Sequence, residues 1–174
     1  MNTKQLTLMA LLVAVGAALY LVIPGYGEGM KPDFMLTMMF IGMLLFPDVR
    51  SVFLLAATTG VLSGLFTTLP GGFIPNVIDK LITAFVIYAV ILLLKKYTNH
   101  LIVSTAITCI GTLLSGTIFL SVAIYVMGVN IPFGFLFLTV VLPTMALNGI
   151  VFFIILPIIK GLLKRTSFKT ALSN

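Results

Sequence analysis

The sequence has few charged residues. Of its 174 residues only 8% are Asp, Glu, Lys or Arg, whereas 60% are hydrophobic. An ordinary soluble domain carries roughly 25% charged residues, and a chain of this length still exposes a large outer shell. The scarcity of charge therefore excludes an ordinary soluble fold and predicts that most of the surface faces lipid.

Cysteine and histidine are also scarce. Cys109 is the single cysteine and lies inside an apolar run, which excludes a disulfide framework and a cysteine metal site. His100 is the single histidine, so neither a metal site nor a catalytic dyad can be assembled around it. The segment 111–117 loosely resembles a phosphate loop but lacks its essential lysine. We therefore expect no enzymatic activity, no metal and no cofactor.

Six runs with little or no charge predict six transmembrane helices. Eighteen helical residues rise about 27 Å, which is close to the thickness of the hydrocarbon core. The second and fourth runs are shorter and reach this length only if their helices begin earlier. That extension draws Lys31 and Asp33 into one first turn, and Asp79 and Lys80 into the other. The runs are residues 6–23, 34–46, 52–69, 81–94, 101–127 and 133–159.

No linker long enough to separate two domains interrupts these runs. We therefore expect an all-α integral membrane protein, a bundle of six transmembrane helices that forms one domain over residues 1–174.

Basic residues predict the orientation of this bundle. With both termini in the cytoplasm, only Lys31 and Lys80 lie on the outer side, in agreement with the positive-inside rule. The acids Glu28, Asp33 and Asp79 lie there with them, so the outer face mixes both signs. The basic residues form no contiguous patch, which argues against a nucleic-acid partner. Those placed inside are Lys4, Arg50, Lys95, Lys96, Lys160, Lys164, Arg165 and Lys169.

Two polar motifs stand at the outer ends of the predicted helices. In the first, Pro32 suits the first helical position and the Asp33 carboxylate favours the positive end of the helix dipole. In the second, Asn76 and Asp79 have the spacing of a capping box. Each motif taken alone has a structural explanation.

Together the motifs favour a polar ligand site. The pairs Lys31 with Asp33 and Asp79 with Lys80 enter the membrane from one side, and ionisable residues in the bilayer usually face a cavity. A zwitterionic amino acid suits them, because a lysine can meet its carboxylate and an aspartate its ammonium. Asn148, near mid-depth of the last helix, makes either an interhelical hydrogen bond or a ligand contact.

Small residues at a spacing of four form one stripe on the first helix and one on the third. Such stripes allow helix backbones to approach closely. We expect the third-helix stripe to pack against the first helix, whereas the first-helix stripe either packs internally or faces a partner protein. The stripes are Ala10, Ala14 and Ala18, and Ala56, Gly60 and Gly64.

Four segments carry a resemblance to a known family. They are Gly29-Met30-Lys31-Pro32-Asp33, residues 69–80, Leu114-Ser115-Gly116 with Phe119-Leu120-Ser121, and Val141-Leu142-Pro143 with Leu147-Asn148. Together they resemble the bacterial tryptophan transporters of the TrpP type, which are regarded as substrate-binding S components of energy-coupling factor (ECF) transporters. The resemblance runs essentially end to end.

The resemblance implies a multi-pass protein of the bacterial cell membrane that takes up L-tryptophan through a pocket on the outer side. The loops near residues 24–33 and 67–76 would cover that pocket. The implied partners are an ECF transmembrane coupling protein, contacted by Ala10, Ala14 and Ala18, and two ATPase subunits. Candidates for substrate binding are Lys31, Asp33, Asn76, Asp79, Lys80 and Asn148.

Two other functions are alternatives to this one. An S component or secondary transporter for another small solute, such as a vitamin precursor, would share the fold and differ in the pocket. An intramembrane enzyme acting on lipids would need clustered acids or histidines, and near the cytoplasmic face the sequence offers only Asp48 and His100.

The orientation can be tested by cysteine labelling in a variant that lacks Cys109. Because Gly27 and Gly72 belong to predicted outer loops and Asn99 to an inner loop, an impermeant reagent should label cysteines at the first two positions only. Labelling at position 99 and at neither loop would reverse the predicted orientation.

Overall fold

A computed structural model describes residues 2–24, 32–130, 132–165 and 170–172. These residues form six helices and no strand, as the all-α prediction requires. The helices are α1 (Thr3–Val22), α2 (Phe34–Leu45), α3 (Val49–Leu65), α4 (Phe73–Leu93), α5 (Leu101–Val126) and α6 (Phe133–Lys164). Two short π-helical stretches, Val122–Val126 and Phe137–Val141, lie within α5 and α6.

Within this described part of the chain, four helices are long and apolar enough to cross a membrane, namely α1, α4, α5 and α6. The helices α2 and α3 contain 12 and 17 residues. Six crossings and cytoplasmic termini stay predictions.

The short helix α2 forms the centre of the bundle. All 12 of its residues are buried, and it packs against α1, α3 and α6. A helix that is apolar on every side is stable when protein surrounds it. Its length therefore does not have to match the bilayer, because its neighbours and not lipid cover it.

The expected early start of α2 is wrong. The helix begins at Phe34, and Asp33 is its N-cap, with the carboxylate accepting a hydrogen bond from the backbone N–H of Leu36 at 2.9 Å. Pro32 therefore precedes the cap and is not the first helical residue. An aspartate cap satisfies a backbone donor that has no partner within the helix, so the helix can end there. Lys31 lies outside the described residues.

The expected start of α4 is also wrong, because this helix begins earlier than predicted. The helix begins at Phe73, so Asp79 and Lys80 lie in its second turn and not in its first. Pro75 falls within the first turn, where a missing backbone N–H breaks no helical hydrogen bond. The earlier start carries both charged residues deeper into the bundle.

The glycines of α3 allow close contact with α4. A methyl group on Gly60 would lie 3.1 Å from the Cα atom of Val77, and one on Gly64 would lie 3.1 Å from that of Phe73. The prediction that this stripe packs against α1 is therefore wrong. Spacing along a helix predicts a face but not the helix that meets it.

The alanine stripe of α1 points away from the bundle. Ala10, Ala14 and Ala18 are all exposed. The buried side of the same helix consists of Met9, Leu12, Val13 and Gly16. Of the two alternatives for this stripe, internal packing does not occur among the described residues.

The contact between α3 and α4 can be tested by replacing Gly60 with leucine. A larger side chain must push against the α4 backbone, and overpacking of this kind costs about 1–3 kcal/mol. We expect a lower melting temperature for the detergent-purified protein. Gly161→Leu is the matched control, because a side chain at Gly161 would meet no neighbouring atom within 4 Å. Equal melting temperatures for the two variants would contradict the close contact.

Candidate functional site

A partly enclosed cavity of about 320 Å³ lies between the helices. Its volume falls at the lower end of the roughly 300–1,000 Å³ that is usual for small-molecule sites. All six helices and the α3–α4 loop contribute to its wall. The lining residues are Tyr20, Asp33, Leu36, Ser63, Thr67, Thr68, Leu69, Asn76, Asp79, Lys80, Thr112, Ser115, Gly116, Phe119, Leu120, Leu136, Val140, Val141 and Thr144.

Lys80 is the centre of the polar wall. Its Nζ atom donates to Oδ2 of Asp33 at 3.0 Å, to Oδ2 of Asp79 at 2.8 Å and to Oγ of Ser115 at 3.2 Å. A lysine ammonium has three N–H donors. All three of them therefore already have acceptors within the protein.

The two carboxylates differ in exposure. The Asp79 side chain is 1% exposed, and it also accepts hydrogen bonds from Thr83 Oγ1 at 2.9 Å and Ser115 Oγ at 2.8 Å. The Asp33 side chain is 25% exposed. Asp79 thus anchors the lysine inside the protein, whereas Asp33 presents its carboxylate to the cavity.

The cluster of Asp33, Asp79 and Lys80 carries one surplus negative charge when all three groups are ionised. An uncompensated charge is costly in a membrane interior, so the arrangement favours a cationic group in the cavity. Among the described residues no group of three His, Cys, Asp or Glu side chains could hold a metal ion.

A second hydrogen-bonded chain fixes the position of Asp33. Its backbone N–H donates to Oδ1 of Asn148 at 2.8 Å, and Nδ2 of Asn148 donates to Oγ1 of Thr112 at 3.1 Å. Asn148 is fully buried and does not line the cavity. Its amide joins α2, α5 and α6 from behind the cavity wall.

Asn76 lines the cavity but does not cap α4. The cap is Gly72, and Nδ2 of Asn76 donates to the Gly72 carbonyl at 2.8 Å. The predicted capping box is therefore wrong, because Asn76 lies one turn inside the helix. Four of the six predicted site residues line the cavity, Asn148 lies behind it, and Lys31 is outside the described residues.

The hydroxyl groups that complete the polar network were not among the predicted site residues. Ser115, Thr112 and Thr83 are buried and bonded to the predicted residues. A signal was present in α5, where Ser104, Thr108, Thr112 and Ser115 recur at spacings of four and three. That spacing places them on one helix face, and this face turns out to be the buried one.

The family described as "Tryptophan transporter TrpP" matches residues 2–164 of the chain. A probable tryptophan transport protein of Bacillus subtilis is 47% identical over 171 residues, which cover 98% of this chain and 99% of the relative. Probable tryptophan transport proteins of Clostridium perfringens and Clostridium acetobutylicum are 35% and 38% identical. They match 95% and 92% of this chain, and 96% and 94% of their own lengths. No solved structure matches the chain significantly.

The family match spans nearly the whole chain and agrees with the four long apolar helices among the described residues. The protein is accordingly a multi-pass protein of the bacterial cell membrane. The end-to-end identity with three relatives and the family match together lead to one conclusion: the chain belongs to the TrpP family of tryptophan transporters.

Proposed function

We propose that this protein takes up L-tryptophan across the bacterial membrane as the substrate-binding S component of an ECF-type transporter. The observation that carries the proposal is a cavity between the helices in which Asp33 is the exposed carboxylate of a buried ion cluster. The relatives named as probable tryptophan transport proteins support the choice of ligand. The chain itself has no enzymatic role in this proposal.

The cavity wall suits the two ends of the amino acid. The α-ammonium would bind Asp33, which offers negative charge at the cavity surface. The indole ring would lie against the apolar part of the wall, where Tyr20 and Phe119 offer aromatic surfaces and Val141 an aliphatic one. The role of Lys31 stays a prediction.

The roles of the other candidates follow from their bonds. Asp79 and Lys80 form the inner part of the ion cluster and would hold Asp33 in place. Asn148 would position Asp33 by accepting a hydrogen bond from the Asp33 backbone N–H, and it would make no contact with the ligand. Asn76 lines the cavity and would contact the ligand directly.

The energy for transport would come from partner proteins. The sequence lacks a complete phosphate loop, and S components rely on a shared coupling protein and two ATPase subunits. Ala10, Ala14 and Ala18 are exposed on α1, where small side chains let another helix approach closely. We assign this stripe to the contact with the coupling protein.

The ligand site can be tested with Asp33→Asn. Asparagine is as good an N-cap as aspartate, so the start of α2 should persist, whereas the charge that attracts the ammonium is lost. We expect tryptophan binding to weaken at least about tenfold, as for loss of one partner in a desolvated charge pair. Titration calorimetry of the purified protein measures the change.

Asp48→Asn is the control for this experiment. Asp48 caps α3 by accepting from the backbone N–H of Ser51 at 3.1 Å, and it does not line the cavity. Its substitution should leave tryptophan affinity unchanged. Normal binding by the Asp33 variant would refute the assigned site. Stabilisation of the unmodified protein by a vitamin and not by tryptophan would favour a transporter for another solute.

The coupling surface can be tested by replacing Ala14 with phenylalanine. A bulky group on the exposed stripe should block the approach of a partner helix, so cellular uptake of labelled tryptophan should be lost while binding to the purified protein is kept. The control is Val15→Phe, at a neighbouring exposed position outside the stripe. If binding and uptake fall together, the stripe does not serve coupling.

A further inference from the structure

We infer that the cavity recognises the ammonium group of its ligand and not the carboxylate, so that indolic primary amines without a carboxylate bind at the same site. Tryptamine is the simplest member of this class. The inference rests on the proposed function, because it takes the cavity as the indole-binding site. It extends the ligands of that site beyond amino acids.

The first step is the charge of the cavity wall. Asp33, Asp79 and Lys80 are the only charged side chains among the described lining residues. With all three ionised, the wall carries one surplus negative charge.

The second step is the saturation of Lys80. Its three donors are bonded to Asp33, Asp79 and Ser115. A ligand carboxylate could bind Lys80 only by displacing one of these acceptors. Displacing Asp33 or Asp79 would break an ion pair with Lys80, which is unfavourable. Displacing Ser115 would break the link that it makes between Lys80 and Asp79. The Lys80 side chain is also only 3% exposed, so an anion in the cavity has little access to it. Lys80 is therefore not a binding group for an anion.

The third step is the set of acceptors that remain. Among the described residues each oxygen of Asp33 accepts one hydrogen bond, from Lys80 or from the Leu36 backbone, and a carboxylate oxygen can accept two. Asn76 adds a neutral acceptor. Its Nδ2 donates to the Gly72 carbonyl, and because a carbonyl can only accept, this bond identifies the nitrogen of the amide. The other atom, Oδ1, receives no hydrogen bond from the described residues.

The polar wall formed by the described residues is thus rich in acceptors, and its one cationic group, Lys80, already has its acceptors. An ammonium, which has only donors, matches it. A carboxylate entering the cavity loses water, gains no cationic partner among the described residues, and lies near two other carboxylates. Removing the carboxylate from tryptophan should therefore weaken binding little, whereas removing the ammonium should weaken it strongly.

The test is a competition series against labelled tryptophan on the purified, unmodified protein, with tryptamine and indole-3-propionate as competitors. We expect tryptamine to bind within about tenfold of tryptophan or more tightly, and indole-3-propionate to bind roughly 100-fold more weakly than tryptophan. Tryptamine binding more than tenfold weaker than tryptophan, or no tighter than indole-3-propionate, would overturn the inference.

Variants of the protein add a check on the group responsible. Asp33→Asn should weaken the binding of tryptamine at least about tenfold, because it removes the surplus negative charge. The binding of indole-3-propionate should stay unchanged or become slightly tighter. The control Asp48→Asn should keep the full preference for tryptamine. A preference that persists in the Asp33 variant overturns the role of this carboxylate. The ligand series needs no variant, so misfolding of the Asp33 variant would not prevent the test.

The result separates the inference from the proposed function. If tryptophan binds and tryptamine does not, the cavity recognises the carboxylate of tryptophan, and only the inference fails. If neither compound stabilises the folded protein, the proposed function fails and the inference fails with it.

Discussion

The ion cluster of Lys80 between Asp33 and Asp79 is the interaction on which the rest of the structure depends. It joins α2, α4 and α5, because Ser115 of α5 bonds to both Lys80 and Asp79. In a bilayer interior these charges are tolerated only as a bonded group. Removing one partner from a buried pair costs about 3–5 kcal/mol, since the other charge is left without compensation. The cluster therefore constrains the positions of these three helices and also forms the polar wall of the cavity.

The fold places this cluster at a cavity because α2 is short and enclosed. Its N-cap, Asp33, ends the helix inside the bundle and beside α4. Asn148 of α6 holds the same residue from behind through its backbone N–H. Three helices, α2, α4 and α6, thus meet at Asp33, and its bonds leave part of the carboxylate facing the cavity.

The part of the cavity wall that α6 supplies is built differently. Leu136, Val140 and Val141 line it within or next to the π-helical stretch of α6. Such stretches widen a helix locally and often occur at functional sites. The cavity wall therefore combines charged residues of α2 and α4, bonded to Ser115 of α5, with apolar residues of α5 and α6. This division suits a ligand that has a cationic end and a flat apolar end.

The sequence by itself determined the helical membrane class and pointed to the charged residues that line the cavity, Asp33, Asp79 and Lys80. Both could be predicted, because a charge inside an apolar run is conspicuous and its cost in lipid implies a function. The predicted helix starts are wrong at Asp33, which run length placed inside α2, and at Asn76, which the capping-box spacing placed at the start of α4. Capping by Asp33 and burial of α2 removed the need for α2 to span the bilayer.

Only the tertiary structure decided which charged groups face the cavity and which are already bonded within the protein. The bond between Asp33 and Asn148 joins residues 115 positions apart, and the saturation of Lys80 needs Ser115 from another helix. Spacing along one helix predicts which side chains share a face. Which helix meets that face depends on packing among all six, and this packing left Asp33 as the exposed carboxylate of the cluster.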